Sequence, residues 1–240
     1  MSTPTLAASL PPGTGEVETV VVETRDADGN LVNCASLVHG VPHGETVNYA
    51  PNGTALSRAN YVHGLLDGSL RIFDAQGQLV QEAQYRKGKL DGVTSLYQAG
   101  RLASRNHYVS GLLHGESATY APSGLVTSQM TYEAGKLERE AVFMHDGVVV
   151  KRARYSKGKL EGETREYAAN GALVQSSPYQ ADLLHGTVRR FAPDGTVMQE
   201  RLYRQGKPQG EWHAPDAGAP QAGGAPGPRL VKNLEKWVRG

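Results

Sequence analysis

Residues 111–133 read GLLHGESATYAPSGLVTSQMTYE, and variants of this stretch return along most of the 240-residue chain. Segments that begin with a Gly-x-x-x-Gly step start at intervals of 24, 24, 23, 24, 23, 24 and 24 residues. A short fixed period indicates tandem copies of one small unit that cannot bury a core by itself. The chain is therefore predicted to hold seven complete units over residues 40–205 and a partial eighth that ends near residue 212.

Glycines and aromatic residues occupy fixed columns in these units. Three glycine columns, which begin at Gly40, Gly44 and Gly53, hold seven glycines each and thus 21 of the 29 in the chain. Two aromatic columns hold all 11 tyrosines. Arg139 and Asp182 stand where two glycines would otherwise be. The columns show that the same backbone and packing positions recur in every unit.

Each unit is predicted to be a β-hairpin. In the quoted unit a strand of about six residues ends at Tyr120, and a strand of about eight residues ends at Tyr132. Between them, Pro, Asn or Asp precedes a glycine in segments such as APNG and APDG, which is typical of a type I turn or a short hairpin loop closed at positive φ. The GLLHG-type segment is predicted to form the return turn. No window of the repeats has a sustained helical period.

The predicted fold is all-β, an elongated single-layer antiparallel meander of hairpins with about 24 residues each. Alternation places Leu79, Gln81, Ala83 and Tyr85 on one face of the sheet. The opposite face carries the charged residues Arg58, Glu82, Arg105, Arg152 and Glu200. Ladders of stacked tyrosines and leucines are expected to hold neighbouring units together. The hairpin around residues 139–146 breaks the pattern, so we expect a bulge there.

Both ends of the chain depart from the repeat. Residues 1–15 are predicted to be disordered, and residues 16–39 to form a degenerate capping hairpin. Residues 213–228 read as a flexible Ala/Gly/Pro linker, and residues 229–240 as a short basic amphipathic helix. Its apolar face would carry Leu230, Leu234, Trp237 and Val238. This helix could cover a sheet edge, dock in the groove of a partner protein or lie on a membrane surface.

Composition excludes several function classes. The 25 basic and 24 acidic residues give a net charge of +1, which does not favour a nucleic-acid partner. No apolar run reaches the roughly 18 residues of a membrane-spanning helix, so no integral membrane segment is predicted. Residues 1–15 lack the features of a secretory signal, and a cytoplasmic location is expected. Cys34 is the only cysteine, so no disulfide or cysteine metal cage forms within one chain.

No residue pattern points to catalysis, a cofactor or a metal. His43, His114 and His185 share one slot with Asp67 and Asp91, and a slot that accepts any polar residue is interpreted as a turn position. These histidines would also lie ~20 Å or more apart. Cys34 and His39 lack a third orienting group. The sequence therefore predicts a protein that is not an enzyme and holds neither cofactor nor metal.

The repeats resemble a known family. Segments GKLEGETREYAANGALVQSSPY at 158–179 and GLLHGESATYAPSGLVTSQMTY at 111–132 are similar to the MORN (membrane occupation and recognition nexus) repeat, and more closely to its bacterial variant in antitoxin-like and immunity-like proteins. This resemblance covers roughly residues 40–212. Together with the predicted sheet, it implies a non-enzymatic immunity or antitoxin-like protein that binds a cognate toxin and occludes it. An adaptor that organises a protein assembly is the alternative, and a peripheral membrane binder is the second alternative.

A contact surface for a partner protein is predicted in the central repeats. A single-layer sheet cannot bury both faces, so tyrosine edges and hydroxyls are expected to stay accessible there. The predicted surface comprises Tyr85, Tyr97, Arg105, His107, Tyr108, Tyr120 and Tyr132.

Overall fold

The computed structural model describes residues 5–6 and 18–215 of the chain. These residues form antiparallel β-strands, and no helix occurs among them. The strands are β1 Thr5–Leu6, β2 Val20–Arg25, β3 Leu31–Val38, β4 Val41–Tyr49, β5 Ala55–Val62, β6 Leu65–Phe73, β7 Leu79–Arg86, β8 Lys89–Gln98, β9 Arg101–Val109, β10 Leu112–Tyr120, β11 Val126–Glu133, β12 Lys136–His145, β13 Val148–Ser156, β14 Lys159–Leu160, β15 Gly162–Tyr167, β16 Leu173–Gln180, β17 Leu183–Leu184, β18 Gly186–Phe191, β19 Val197–Arg204 and β20 Lys207–His213.

The chain divides into a first unit, Met1–Gly124, and a second unit, Leu125–Gly240. In the first unit β1 to β10 pair with their neighbours in chain order. In the second unit β11 to β20 form the same meander, with β14 and β17 as short pieces beside β13 and β16. Within each unit the closely packed strand pairs are ladder neighbours, so each sheet is a single layer. The predicted all-β meander of hairpins is confirmed.

Two kinds of turn join the strands. The return turns have two central residues at positive φ, as at His63 (49°) and Gly64 (78°), which is the type I′ geometry that suits the twist of a hairpin. Most hairpin turns are type I turns closed by a left-handed glycine, as where Gly53 N donates to Ala50 O at 2.9 Å. In the two 23-residue units, Ala99–Gly100 and Asp146–Gly147 instead form two-residue turns at positive φ. This shorter turn accounts for the missing residue.

The second glycine column lies inside a strand, which corrects the prediction that the whole GLLHG-type segment is a turn. Three residues of β8, 91–93, lie opposite a single residue of β7, Gln84, because the register shifts between Ala83 and Tyr85. Gly92, at the centre of this bulge, has φ +120°. A Cβ on it would lie 2.9 Å from the Cβ of Gln84, closer than real side chains approach. Only glycine fits this position without strain.

Hydrogen bonds between consecutive repeats hold the return turns in a row. Gly88 N donates to Leu66 O at 2.7 Å, and Gly111 N donates to Leu90 O at 2.7 Å. The polar slot beside the second glycine adds a side-chain bond, since Lys87 N donates to Asp67 Oδ2 at 3.1 Å. Asp91, Glu138 and Glu161 make the equivalent bond in their repeats. The slot predicted to be a turn position is therefore a bulge position that caps the next turn.

His43 occupies the same slot but packs differently. Its ring lies edge-on to the ring of His63 in the next return turn, with 5.1 Å between the ring centroids. Among the described residues no group of three or more His, Cys, Asp or Glu side chains is arranged to hold a metal ion.

The N-terminal part of the chain contains the predicted capping hairpin. Strands β2 and β3 form it, and Asn30 N donates to Asp26 Oδ1 at 2.8 Å in its turn. Thr5 and Leu6 form β1 and pair with Glu23 and Val22. The open edge of β2 offers unpaired backbone groups, which explains this added strand. The predicted helix at 229–240 lies outside the described residues, as do residues 7–17 and most of the predicted linker.

Two residues adopt the left-handed conformation in slots where the other repeats have glycine. Arg139 has φ 66° in the bulge, and Asp182 has φ 72° in a return turn. The hairpin at 139–146 does carry a register shift, between Phe143 and Met144, but comparable shifts occur in the other hairpins. Its distinguishing features are the arginine and the two-residue turn.

Replacing Arg139 by glycine is expected to raise the free energy of unfolding by about 1 kcal/mol. A left-handed conformation costs a residue with a Cβ about 1 to 2 kcal/mol, and part of this gain is offset by the flexibility of glycine in the unfolded chain. Urea unfolding followed by circular dichroism measures the change.

The matched control is Asp182→Gly, which relieves the same strain but removes a hydrogen bond. Asp182 Oδ1 accepts the N–H of Leu160 at 2.7 Å, so we expect little or no gain in stability. Equal stabilisation by the two changes, or a loss with Arg139→Gly, would contradict this account of the glycine slot.

Candidate functional site

The register between strands assigns residues to the two faces of the first unit. In β5, β7 and β9 the register with the preceding strand shifts only near the hairpin turn and is regular from there to the tyrosine, so side chains alternate over that stretch. Tyr85 is opposite Gly68 on one side and Leu90 on the other. Tyr61 and Tyr108 have the same kind of neighbours in their own repeats. We call Tyr61, Tyr85 and Tyr108 the tyrosine row.

Two further rows share the face of the tyrosine row. The first consists of small or mid-sized residues and runs Ala59, Leu70, Ala83, Thr94, Asn106, Ser117. The second runs Ser57, Ile72, Gln81, Leu96, Ser104. Ala83 is fully buried, whereas Leu96 is 41% exposed. We call these three rows the uncharged face, because none of their side chains bears a formal charge.

The opposite face of the same strands is charged. Arg58, Arg71, Glu82 and Arg105 lie on it, each one residue away from a member of the uncharged face. Arg71 Nε donates to Glu82 Oε1 at 2.8 Å, with half of the arginine side chain exposed. The sequence predicted this solvated face, and the structure confirms it.

The second unit has tyrosines at the equivalent positions, but the face that carries them also carries charged side chains. Lys151, Glu166 and Arg190 lie in positions equivalent to the row of Gln81 and Leu96. Lys151 Nζ is 3.6 Å from Glu166 Oε1, and the Arg190 guanidinium lies 4.0 Å from the centre of the Trp212 ring. Charge therefore reaches the tyrosine face in this unit.

The structure separates the residues predicted to form the contact surface. Tyr85 and Tyr108 belong to the uncharged face, but Arg105 and His107 alternate with them and point to the charged face. His107 Nδ1 is 2.7 Å from the carbonyl oxygen of His114. Tyr97 and Tyr120 lie at the hairpin ends of β8 and β10, and Tyr132 lies in the second unit. Leu230, Leu234, Trp237 and Val238 lie outside the described residues.

Sequence reasoning missed Leu96 and the small residues around it. Leu96 is among the exposed large hydrophobic side chains and is part of the uncharged face. The signal was present in the alignment of the repeats, where its column changes from Ile72 and Leu96 to Glu166 and Arg190. A comparison of charge column by column would have found it.

Two stretches match the family model of the MORN repeat variant, residues 66–87 and 184–205. Each match begins at a leucine of the strand that follows a return turn and ends at the first residue of the next return turn. These two repeats are thus similar to a repeat type whose hairpin architecture the fold reproduces.

No curated protein matches the chain. A crystal structure of a TarM mutant from S. aureus, in complex with Fondaparinux, alpha-GlcNAc-glycerol and UDP, is similar at 17% identity with a TM-score of 0.24. That similarity covers 46% of this chain and 18% of the TarM chain. No helix in the described part of the protein is long and apolar enough to cross a membrane.

Tyrosines of the second unit influence one another electrostatically. Burial raises the pKa of Tyr155 above its ordinary value of 10.0, and the negative charges of Asp182 and of ionised Tyr132 raise it further. Burial likewise raises the pKa of Tyr179, with Glu166 and ionised Tyr155 adding to the effect. Tyr155 and Tyr179 therefore resist ionisation in the folded protein.

Stability is expected to fall as the pH rises above about 10. The folded protein holds the Tyr155 and Tyr179 protons more tightly than the unfolded chain, so their contribution is present below the unfolded pKa and is lost as pH rises through the folded pKa. Urea midpoints measured between about pH 9 and 11.5 report the fall.

The double variant Tyr155→Phe, Tyr179→Phe serves as the control, since it removes both titrating groups and keeps the rings. Its stability should fall less steeply over the same range. Parallel curves for the variant and the natural chain would show that these phenols do not contribute.

Proposed function

We propose that this protein is a non-enzymatic binding protein that docks a partner protein on the uncharged face of its first unit. The observation that carries the proposal is the contrast between the two faces of β5 to β9. One face presents tyrosine, leucine and small polar side chains without formal charge, and the other presents Arg58, Arg71, Glu82 and Arg105.

Burial of the uncharged face by a partner would remove apolar surface from water without stripping water from a charge. Leu96 is 41% exposed and lies two residues along β8 from buried Thr94, so a partner side chain could pack against it. Tyrosines support the same interpretation, because they combine a large apolar ring with a polar hydroxyl and are enriched at interface hot spots. On the charged face, burial of ion pairs such as Arg71–Glu82 would have to overcome their desolvation cost.

The form of this function that we propose is immunity or antitoxin-like. A sheet face of this kind would neutralise a toxin by covering its active surface. The resemblance of the repeats to those of immunity-like proteins supports this form. An organising scaffold would use the same face but would bind a partner that is harmless by itself, so toxicity of the isolated partner distinguishes the two.

Leu96→Lys is expected to abolish capture of the natural partner. It places a charge on the uncharged face, where a bound partner would bury it without a counter-charge. Affinity capture from the native source, quantified by mass spectrometry against the natural chain, measures the loss.

Gln84→Lys is the matched control. Gln84 is exposed on β7 and alternates with Ala83 and Tyr85, so its side chain lies on the charged face. This variant should capture the partner as the natural chain does, and both variants should keep the natural melting temperature. Equal capture by Leu96→Lys, or loss of capture by Gln84→Lys alone, would place the interface elsewhere. Sedimentation with anionic liposomes in place of protein capture would favour the membrane-binding alternative.

A further inference from the structure

The tyrosine row has a regular spacing. Tyr61, Tyr85 and Tyr108 are on β5, β7 and β9, so two strand steps separate consecutive tyrosines. With about 4.8 Å between neighbouring strands, the rings follow one another every ~9.6 Å. Any ligand that contacts all three tyrosines in the same way must repeat at that distance.

Glycines create gaps between the rings. The strand before each tyrosine places Gly44, Gly68 or Gly92 directly opposite it, so no side chain rises there on the uncharged face. Asn60 and Gln84 approach these glycines from the charged side. On its other side each tyrosine faces a leucine of the following strand, Leu66 after Tyr61 and Leu90 after Tyr85. The gaps therefore recur at the same ~9.6 Å interval, and each is bounded by a leucine on its return-turn side.

Hydrogen-bond donors are available along this row. Among the described residues, the hydroxyls of Tyr61, Tyr85 and Tyr108 donate no hydrogen bond to another group of the protein. The side chain of Gln81 lies four residues from Tyr85 on the same face. A ligand with unsatisfied carbonyl groups would find uncharged donors beside apolar rings.

We propose that the tyrosine row of the first unit binds a proline-rich segment in the polyproline II conformation. This inference rests on the proposed function and names the chemical class of its partner. A polyproline II helix has three residues per turn and rises about 3.1 Å per residue, which gives ~9.3 Å per turn. One proline per turn thus meets one gap between tyrosines, and the exposed carbonyls of the ligand accept hydrogen bonds from the hydroxyls.

Charge and backbone chemistry favour this ligand over an α-helix. Proline side chains carry no charge, and neither do the side chains of the face that they would cover. Two turns of an α-helix, seven residues, advance about 10.5 Å. This distance differs from the ~9.6 Å spacing of the tyrosine rings about three times more than one turn of polyproline II does. A helix also satisfies its own backbone carbonyls and has no need of the tyrosine hydroxyls.

Oligoproline peptides of 3, 6, 9 and 12 residues, roughly one to four turns of polyproline II, test the proposal with the full-length protein. Isothermal titration calorimetry should show affinity that increases up to the nine-residue peptide, which spans the three tyrosines, and then levels off. A Gly-Ser peptide of nine residues should not bind, because it lacks the pyrrolidine rings of proline and the preformed polyproline II conformation.

Tyr85→Phe should weaken binding of the nine-residue oligoproline about three- to tenfold, the loss of one hydrogen bond. The same change at the equivalent position of the second unit, Tyr179→Phe, should leave this affinity unchanged. Phenylalanine keeps the ring in place, so the melting temperature checks that packing is intact.

Absence of binding, affinity that is independent of peptide length, or equal effects of the two phenylalanine variants would overturn the proposal. Preferential binding of an amphipathic helical peptide would also overturn it. If Leu96→Lys abolishes partner capture while the oligoprolines do not bind, the proposed function holds and the ligand class is wrong. If capture does not depend on Leu96 but oligoproline binding depends on Tyr85, the row binds such ligands and the proposed function fails.

Discussion

Backbone at positive φ, repeated at fixed intervals, is the constraint on which the rest of this structure depends. The return turns of this protein have the type I′ geometry, in which both central residues adopt the left-handed region, and the sequence provides glycine at the second of them in nearly every repeat. The second glycine then makes a bulge that brings the carboxylate of Asp67 or Asp91 within reach of the next turn. The spacing of the glycines thus determines strand length, register and the bonds between repeats.

A single layer built this way has no deep core. No large side chain is fully buried in the described residues, and the most buried positions belong to small residues such as Ala83 and Ala153. Stability must come from many modest contacts between neighbouring strands, each worth a fraction of a kcal/mol to about 1 kcal/mol. For the same reason both faces of the sheet stay accessible. The difference in charge between the faces then decides which of them can be covered by a partner at low desolvation cost.

The periodic sequence was enough to predict the hairpins, because each column of glycine or tyrosine reports a backbone or packing position that all repeats share. It was not enough to predict the bulge at Gly92, since a glycine at positive φ has the same appearance in a turn and in a strand. For the candidate site, tyrosines were correctly expected to be partly accessible. Arg105 and His107 were grouped with Tyr108 by nearness in sequence, although odd spacing along a strand puts Arg105 and His107 on the other face.

The exceptions to the first two glycine columns fall in one half of the molecule. In the first unit the first two glycine columns are complete, from Gly40 to Gly115, while Arg139 and Asp182 both lie in the second unit. Asp182 is accommodated because its carboxylate binds the N–H of Leu160 and faces the phenol of Tyr155, which links the turn to the tyrosine column. Charges on the tyrosine face, at Lys151 and Arg190, belong to the same half. Recognition by a row of identical positions needs both regular spacing and uniform chemistry. Among the described residues only the first unit combines the two, which is why we propose the binding face there and not in the second unit.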